Sequence, residues 1–81
     1  MFVTSDIDTL RQYIQQEFGY EGDIPADMDL LQKQVLDSFS IVTLAMFVQE
    51  RFEVILEAED LVRANLATLS SIVALIARKR S

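Results

Sequence analysis

Val35-Leu36-Asp37-Ser38-Phe39-Ser40 runs directly into Ile41-Val42-Thr43-Leu44-Ala45-Met46-Phe47-Val48, and the reading of this stretch decides the fold. From Phe39 to Val48 eight of ten residues are apolar, the exceptions being Ser40 and Thr43. The stretch predicts a helix from about Ser38 to about Phe52, with Gln49, Glu50 and Arg51 marking its wet end. A helix so apolar nearly all round is either central to a core or has a face that meets something besides water. In a chain of 81 residues it cannot be enclosed on every side. Some of Ile41, Leu44, Phe47 and Val48 are therefore expected near the surface.

Working outward, Ile7, Leu10, Ile14 and Phe18 recur at spacings of three and four and predict a first helix over 7–18. Thr4 or Ser5 suits its N-cap, Asp6 and Asp8 suit its positive end, and Gly19 suits its termination. Residues 19–36 read as a long connection, punctuated by Gly19, Gly22, Asp23, Pro25, Asp27 and Asp29 and pinned by Leu30, Leu31, Val35 and Leu36. Its acids lack the spacing and the downstream Glu of a calcium loop. Phe52-Glu53-Val54-Ile55-Leu56 has the composition of a strand but no partner strand, so it reads as an extended connector. Glu57–Val62 reads as a short third helix, with Asn65 breaking the pattern. A last helix over 69–79 is capped by Thr68 and striped with Leu69, Ile72, Val73 and Ile76. The fold class is all-α, a small four-helix bundle with three longer helices, one short third helix and a long first loop. Residues 1–81 are expected to form a single domain.

Composition excludes several functions. There is no Cys, hence no disulfide framework and no thiolate metal site. There is no His, the usual general base and the commonest nitrogen ligand for metals. Ser38 beside Asp37 is no substitute for a catalytic triad, and a hydrolase using Ser38 has no base to work with. The formal net charge is −6, but Arg78, Lys79 and Arg80 lie together near the end, so residues 1–77 carry four basic against thirteen acidic groups, a net of −9. Such a body repels nucleic acid and anionic lipid and attracts basic patches on proteins. The basic trio is expected to complement the negative end of the last helix dipole rather than to form a nucleic-acid tail. No signal peptide is expected from the first residues, and no apolar run is long enough to span a bilayer, which predicts a soluble, cytoplasmic protein.

Ser38 is the residue with chemistry to offer. A hydroxyl at a helix start is exposed, and the free backbone N–H groups and positive dipole end there favour a phosphate. Asp37 is expected to be free to contact a modifying enzyme or a metal ion that the enzyme brings. Phe39 is expected to anchor the helix so that the serine is held in place. Taken alone, Asp-Ser before a helix establishes no more than a cap.

The whole arrangement, however, resembles the acyl carrier and peptidyl carrier protein family, from Ile7 to about Ile76. The resemblance rests on Asp37-Ser38-Phe39 at the position of a Gly-x-Asp-Ser-Leu signature, on Ile41-Val42-Thr43-Leu44-Ala45-Met46 in the second helix, and on the connector Phe52-Glu53-Val54-Ile55-Leu56. It implies a non-catalytic, stand-alone, monomeric carrier whose Ser38 is modified with 4′-phosphopantetheine, with Asp37 and Phe39 beside the attachment point. The implied partners are a phosphopantetheinyl transferase, an acyl- or aminoacyl-activating ligase, and a downstream condensing or tailoring enzyme. Val35 occupies the signature Gly position, which suggests a different loop path into the serine. Phe39 replaces the usual Leu. Ser40 and Thr43 stand where fatty-acid-synthesis carriers show acids, which points to a polyketide, nonribosomal peptide or related pathway. The partner surface is then expected at Ser40, Thr43, Phe47 and Glu50, more apolar than acidic. A cavity lined by Val42, Met46 and Leu61 would suit a sheltered cargo. The competing reading is an unmodified helical docking domain with a carrier-like fold, which explains the apolar second helix but not the serine.

Overall fold

The computed structural model describes residues 5–80. Four helices follow in order: α1 (Asp6–Glu17), α2 (Ser38–Phe52), α3 (Arg63–Leu66) and α4 (Leu69–Arg80), with a 3₁₀ turn at Ala58–Asp60 before α3. Among the described residues there is no strand, and the all-α four-helix expectation holds.

The predicted caps close the helices as expected. The Ser5 hydroxyl accepts the Asp8 N–H at 3.1 Å at the start of α1. Thr4 lies outside the described residues. Phe18 ends α1 by donating its N–H to the Ile14 carbonyl, and Gly19 then takes a left-handed φ of 65° that a side chain would strain. Thr68 Oγ1 accepts the Ser71 N–H at 3.0 Å and starts α4.

Leu10 and Ile14 of α1 and Leu69, Ile72, Leu75 and Ile76 of α4 are buried, and α1 and α3 both pack on α4. Helix α2 contributes Leu44, Ala45, Val48 and Phe52 to the same core. Each fully buried leucine or isoleucine here stabilises the fold by about 1.5–3 kcal/mol relative to exposure.

The long connection is fastened rather than loose. Ile24, Leu30, Val35 and Leu36 are buried. Leu30 N–H donates to the Ala67 carbonyl at 2.7 Å, and Ser70 N–H to the Ala26 carbonyl at 3.0 Å, so the junction of α3 and α4 grips the loop. From the other side Arg11 Nε donates to the Ile24 carbonyl at 2.9 Å.

Two expectations need correction. The third helix does not occupy Glu57–Val62. Glu57 and Asp60 form a reciprocal capping box around a single 3₁₀ turn, extended Val62 interrupts it, and α3 follows at Arg63–Leu66. Asn65 therefore lies inside α3 instead of breaking it, and its amide donates to the Asp60 carbonyl at 2.9 Å, tying the two turns together. The basic trio also does more than face a dipole. Lys79 pairs with Asp60 at 2.6 Å, Arg78 donates to Asn65 at 3.1 Å, and Arg80 reaches Asp6 at 3.7 Å while lying over the Phe52 ring. The end of α4 thus fastens the start of α1, the end of α2 and the 3₁₀–α3 segment.

Candidate functional site

Ser38 is the first residue of α2 and is exposed. Its position is set from upstream by one peptide group. The Leu30 carbonyl accepts the N–H of both Val35, at 2.9 Å, and Leu36, at 3.1 Å, while Leu30 N–H is bound to Ala67. Buried Val35 and Leu36 hold the chain down just before it emerges at Asp37 and Ser38. Downstream, Leu44, Ala45 and Val48 hold the helix.

Phe39 does not act as the anchor. It is 85% exposed, and the anchoring expected of it falls to these flanking aliphatic residues. The reason is rotational. At 100° per residue, Leu44, Ala45, Val48 and Phe52 mark the buried side of α2, and Phe39 projects almost opposite.

Asp37 is the N-cap, with an extended backbone, and its Oδ1 accepts the Ser40 N–H at 2.8 Å. That bond and the Ser40 hydroxyl chiefly, with a lesser part from the Phe39 N–H, hold its carboxyl below the usual carboxylate range against the opposing effect of desolvation. Asp37 is therefore ionised at neutral pH and one of its oxygens is committed to the helix, so it is less free than expected.

The signature-glycine position is resolved by displacement. Val35 is buried, and the left-handed residue of the approach is its neighbour Gln34, with φ 61°. With the left-handed residue at position 34, position 35 carries its side chain into the core.

The residues expected to share a partner surface separate. Thr43 and Glu50 are exposed, but Ser40 is half-buried and engaged with Asp37. Phe47 is half-buried and stacked on Tyr13, ring centroids 3.7 Å apart and planes 9° from parallel, with Phe52 edge-on at 6.4 Å. It joins α2 to α1. The exposed apolar residues of α2 are instead Phe39, Val42 (54%) and Met46 (57%). Thr43 and Glu50, the polar residues at i and i+7, were the signal that marks this outer side, and Val42 and Met46 lie beside them on the same side of the helix. Because Val42 and Met46 face outward, they line no internal space with Leu61, and the described residues enclose no cavity.

Asp29, one of the loop acids, is spent on structure. Its Oδ1 accepts the N–H groups of Leu31 and Gln32, and its Oδ2 accepts from Arg63 at 2.8 Å. No cluster of three potential metal ligands exists among the described residues, and no helix there is long and apolar enough to cross a membrane.

An exposed hydroxyl on the first turn of a 15-residue helix fits a covalently held phosphate, since the positive end of the helix dipole stabilises the negative charge. No curated protein matches the chain significantly. The model of one protein family does match, over residues 8–76, and that family is described as the phosphopantetheine attachment site.

Proposed function

This chain belongs to the phosphopantetheine-attachment family, and on that premise we propose that Ser38 carries the arm and that the protein is an acyl or aminoacyl carrier. Covalent attachment of 4′-phosphopantetheine is what such a domain is for, and carrier domains of this kind are generally non-catalytic partners of transferases and acyl-activating enzymes. The observation that carries the assignment to Ser38 is its placement: exposed, first in α2, and next to a capping Asp37 inside the matched segment.

The attached arm supplies a terminal thiol on which an acyl or aminoacyl group is held as a thioester. The chain itself supplies the acceptor and its orientation. Ser38 Oγ forms the new bond to phosphorus, the bond from that phosphorus to the donor nucleotide breaks, and the nucleotide leaves with the electron pair. The Ser38 proton passes to a base of the transferase, because this chain has no His and the Asp37 carboxyl, held below its usual range, is a weak base.

The pathway we favour is a polyketide, nonribosomal peptide or related one. Its support is the exposed side of α2 from Phe39 to Met46, which carries no charge, with Thr43 where acids are usual in carriers of fatty acid synthesis. The partner surface proposed on α2 includes Thr43 and Glu50, and the protein acts as a cytoplasmic monomer. The exposed apolar side of α2 suits an unmodified docking domain equally well. Co-expression with a phosphopantetheinyl transferase followed by intact-mass measurement separates the two readings. Wild type gains the arm's mass and Ser38→Ala does not. An unmodified wild type favours the docking domain.

A further inference from the structure

A single closed turn precedes Ser38. Asp29 opens it, its Oδ1 accepting the N–H groups of Leu31 at 3.1 Å and Gln32 at 2.9 Å. Left-handed Gln34 closes it. The Gln34 N–H donates to the Leu31 carbonyl at 3.2 Å and the Val35 N–H to the Leu30 carbonyl at 2.9 Å, the pair of bonds that commonly ends a helix. The same turn is fastened to α3 twice. Leu30 N–H donates at 2.7 Å to the carbonyl of Ala67, just past the end of α3, and Asp29 Oδ2 accepts at 2.8 Å from Arg63, the first residue of α3. We infer that Asp29 is a positioning residue for Ser38, acting through this turn, and that its pair with Arg63 ties the placement of the acceptor hydroxyl to α3.

The chain leaves little slack between the turn and the serine. Leu36 is buried, its N–H is bound to the Leu30 carbonyl at 3.1 Å, and only Asp37 separates it from Ser38. Downstream, the first buried side chain of α2 is Leu44, more than one helical turn away. The upstream turn is therefore the nearer support for a residue at a helix end, where fraying is greatest. Attachment needs that support, because Oγ must meet the reacting phosphorus in line and within about 3–3.5 Å. The Asp29 carboxyl is held below the usual carboxylate range chiefly by the Gln32 N–H, with Arg63 and the Leu31 N–H adding to it, so cap and pair are both present at neutral pH. Arg63 is 60% exposed, and exposed pairs add little to stability, so what this pair contributes is orientation. Asp60 is the contrast. It pairs with Lys79 at 2.6 Å on the same 3₁₀–α3 segment, but beside the end of α4 whose Arg80 lies over Phe52, at the opposite end of α2 from Ser38.

The inference rests on the reading of Ser38 as acceptor, and the experiment separates the two. Unmodified protein is mixed with coenzyme A and an excess of a phosphopantetheinyl transferase of broad acceptor range. Product is followed by intact mass in single turnovers, below the melting temperature of every variant, which gives a saturating rate and a half-saturating transferase concentration. Asp29→Ala removes cap and pair, Asp29→Asn keeps an oxygen for the cap, Arg63→Ala removes the pair alone, and Lys79→Ala is the control. The saturating rate is expected to fall about tenfold in Asp29→Ala and roughly threefold in Asp29→Asn and Arg63→Ala, with half-saturation moved by less than about twofold. Lys79→Ala is expected to match wild type. Asp29→Asn combined with Arg63→Ala should be no slower than either alone, since both remove one pair. If Asp29→Ala does not fold, the two milder variants and their combination carry the test. Independently of the enzyme, amide hydrogen exchange at Val35 and Leu36 should quicken in Asp29→Ala and not in Lys79→Ala. Wild-type rates in the Asp29 variants overturn the positioning role while leaving Ser38 as acceptor. So does an effect confined to half-saturation, which would make Asp29 a contact of the enzyme, and so does an equal slowing in Lys79→Ala, which would reduce the effect to general stability. If the wild type gains no mass, the acceptor reading itself fails and the inference falls with it.

Discussion

Asp37 Oδ1 accepts the backbone N–H of Ser40 at 2.8 Å, and this bond closes the first turn of α2. The Ser38 hydroxyl is thereby left out of the cap. Structural and chemical roles that sequence alone assigns jointly to an Asp-Ser pair are divided between two residues, with the carboxylate holding the helix and the hydroxyl presented to solvent.

The division is testable by substitution. Ser38→Ala should change unfolding stability by no more than about 0.5 kcal/mol, as for other exposed sites without a structural bond. Asp37→Ala should lower the melting temperature, and Asp37→Asn should largely restore it, since an amide oxygen can accept the same bond. Denaturant titration of the three variants checks this. A Ser38→Ala loss as large as that of Asp37→Ala would return the cap to the serine.

Acid should weaken the fold through three carboxylates. Asp29, Asp37 and Asp60 are all held below the usual range, in each case chiefly by an accepted backbone N–H, from Gln32, Ser40 and Glu57 respectively. A carboxyl depressed in the folded state adds stability that is fully present above the unfolded pKa, near ~4. That stability is lost as pH falls through the folded values below it. Lys79 has the opposite sign. Its ammonium is raised by the bond to Asp60, so its contribution is complete below its ordinary pKa and is lost as pH climbs through the raised one. Melting temperature should be flat near neutrality and fall at both extremes, and Asp60→Asn should blunt both falls. Unchanged acid and alkaline limbs in that variant would mean the Asp60–Lys79 pair is inconsequential.

Much of this was legible in the sequence, for local reasons. Apolar spacing and the caps at Ser5, Gly19 and Thr68 place α1 and α4 to within a residue of their observed ends, because the bonds that stop a helix lie within a few residues of it. The short third helix was not legible. Four residues of α3 are barely one turn and show no period, and Asn65 belongs there only because Asp60 and Arg78, five and thirteen residues away, bind its amide. The site divided in the same way. Ser38 at the mouth of α2 follows from the local pattern. Which of Phe39 and Phe47 faces outward does not, since the stacking partner of Phe47 is Tyr13, across the long connection.

That stacking makes Phe47 a structural residue. Phe47→Ala should destabilise the fold by on the order of 2 kcal/mol, less than a fully buried phenylalanine but including the loss of aromatic pairing. Tyr13→Ala should remove the same pairing, so the double variant should cost less than the sum of the singles. Additive losses in a double-mutant cycle by chemical denaturation would show that the two rings do not stabilise one another.

Gln34 holds a left-handed backbone just ahead of the site, where a Cβ costs roughly 1–2 kcal/mol. Gly removes that cost but has more freedom to lose on folding, worth roughly 0.5–1 kcal/mol. Gln34→Gly should thus be neutral or stabilising by up to about 1 kcal/mol, and β-branched Gln34→Val should be destabilising. Denaturant midpoints decide it. A clear loss of stability in Gln34→Gly would mean that the side chain, not the turn, is what position 34 requires.

Loading of the modified protein by its ligase should respond to shape on the outer side of α2 more than to single charges there. Thr43 is exposed beside Val42 and Met46, and Glu50 lies on the same side two turns on. Thr43→Arg introduces a long cation into the middle of that apolar surface, where seating it against an apolar partner requires desolvating it. Glu50→Gln removes one exposed charge whose attraction is already screened at ordinary ionic strength. The first change should slow loading by roughly tenfold, equivalent to about 1.4 kcal/mol, and the second by less than about twofold. Raising the salt should weaken wild-type loading only mildly. A steep fall with salt, together with normal loading of Thr43→Arg, would locate recognition at exposed acids such as Glu57 and Glu59 beside the 3₁₀ turn instead, away from the exposed side of α2.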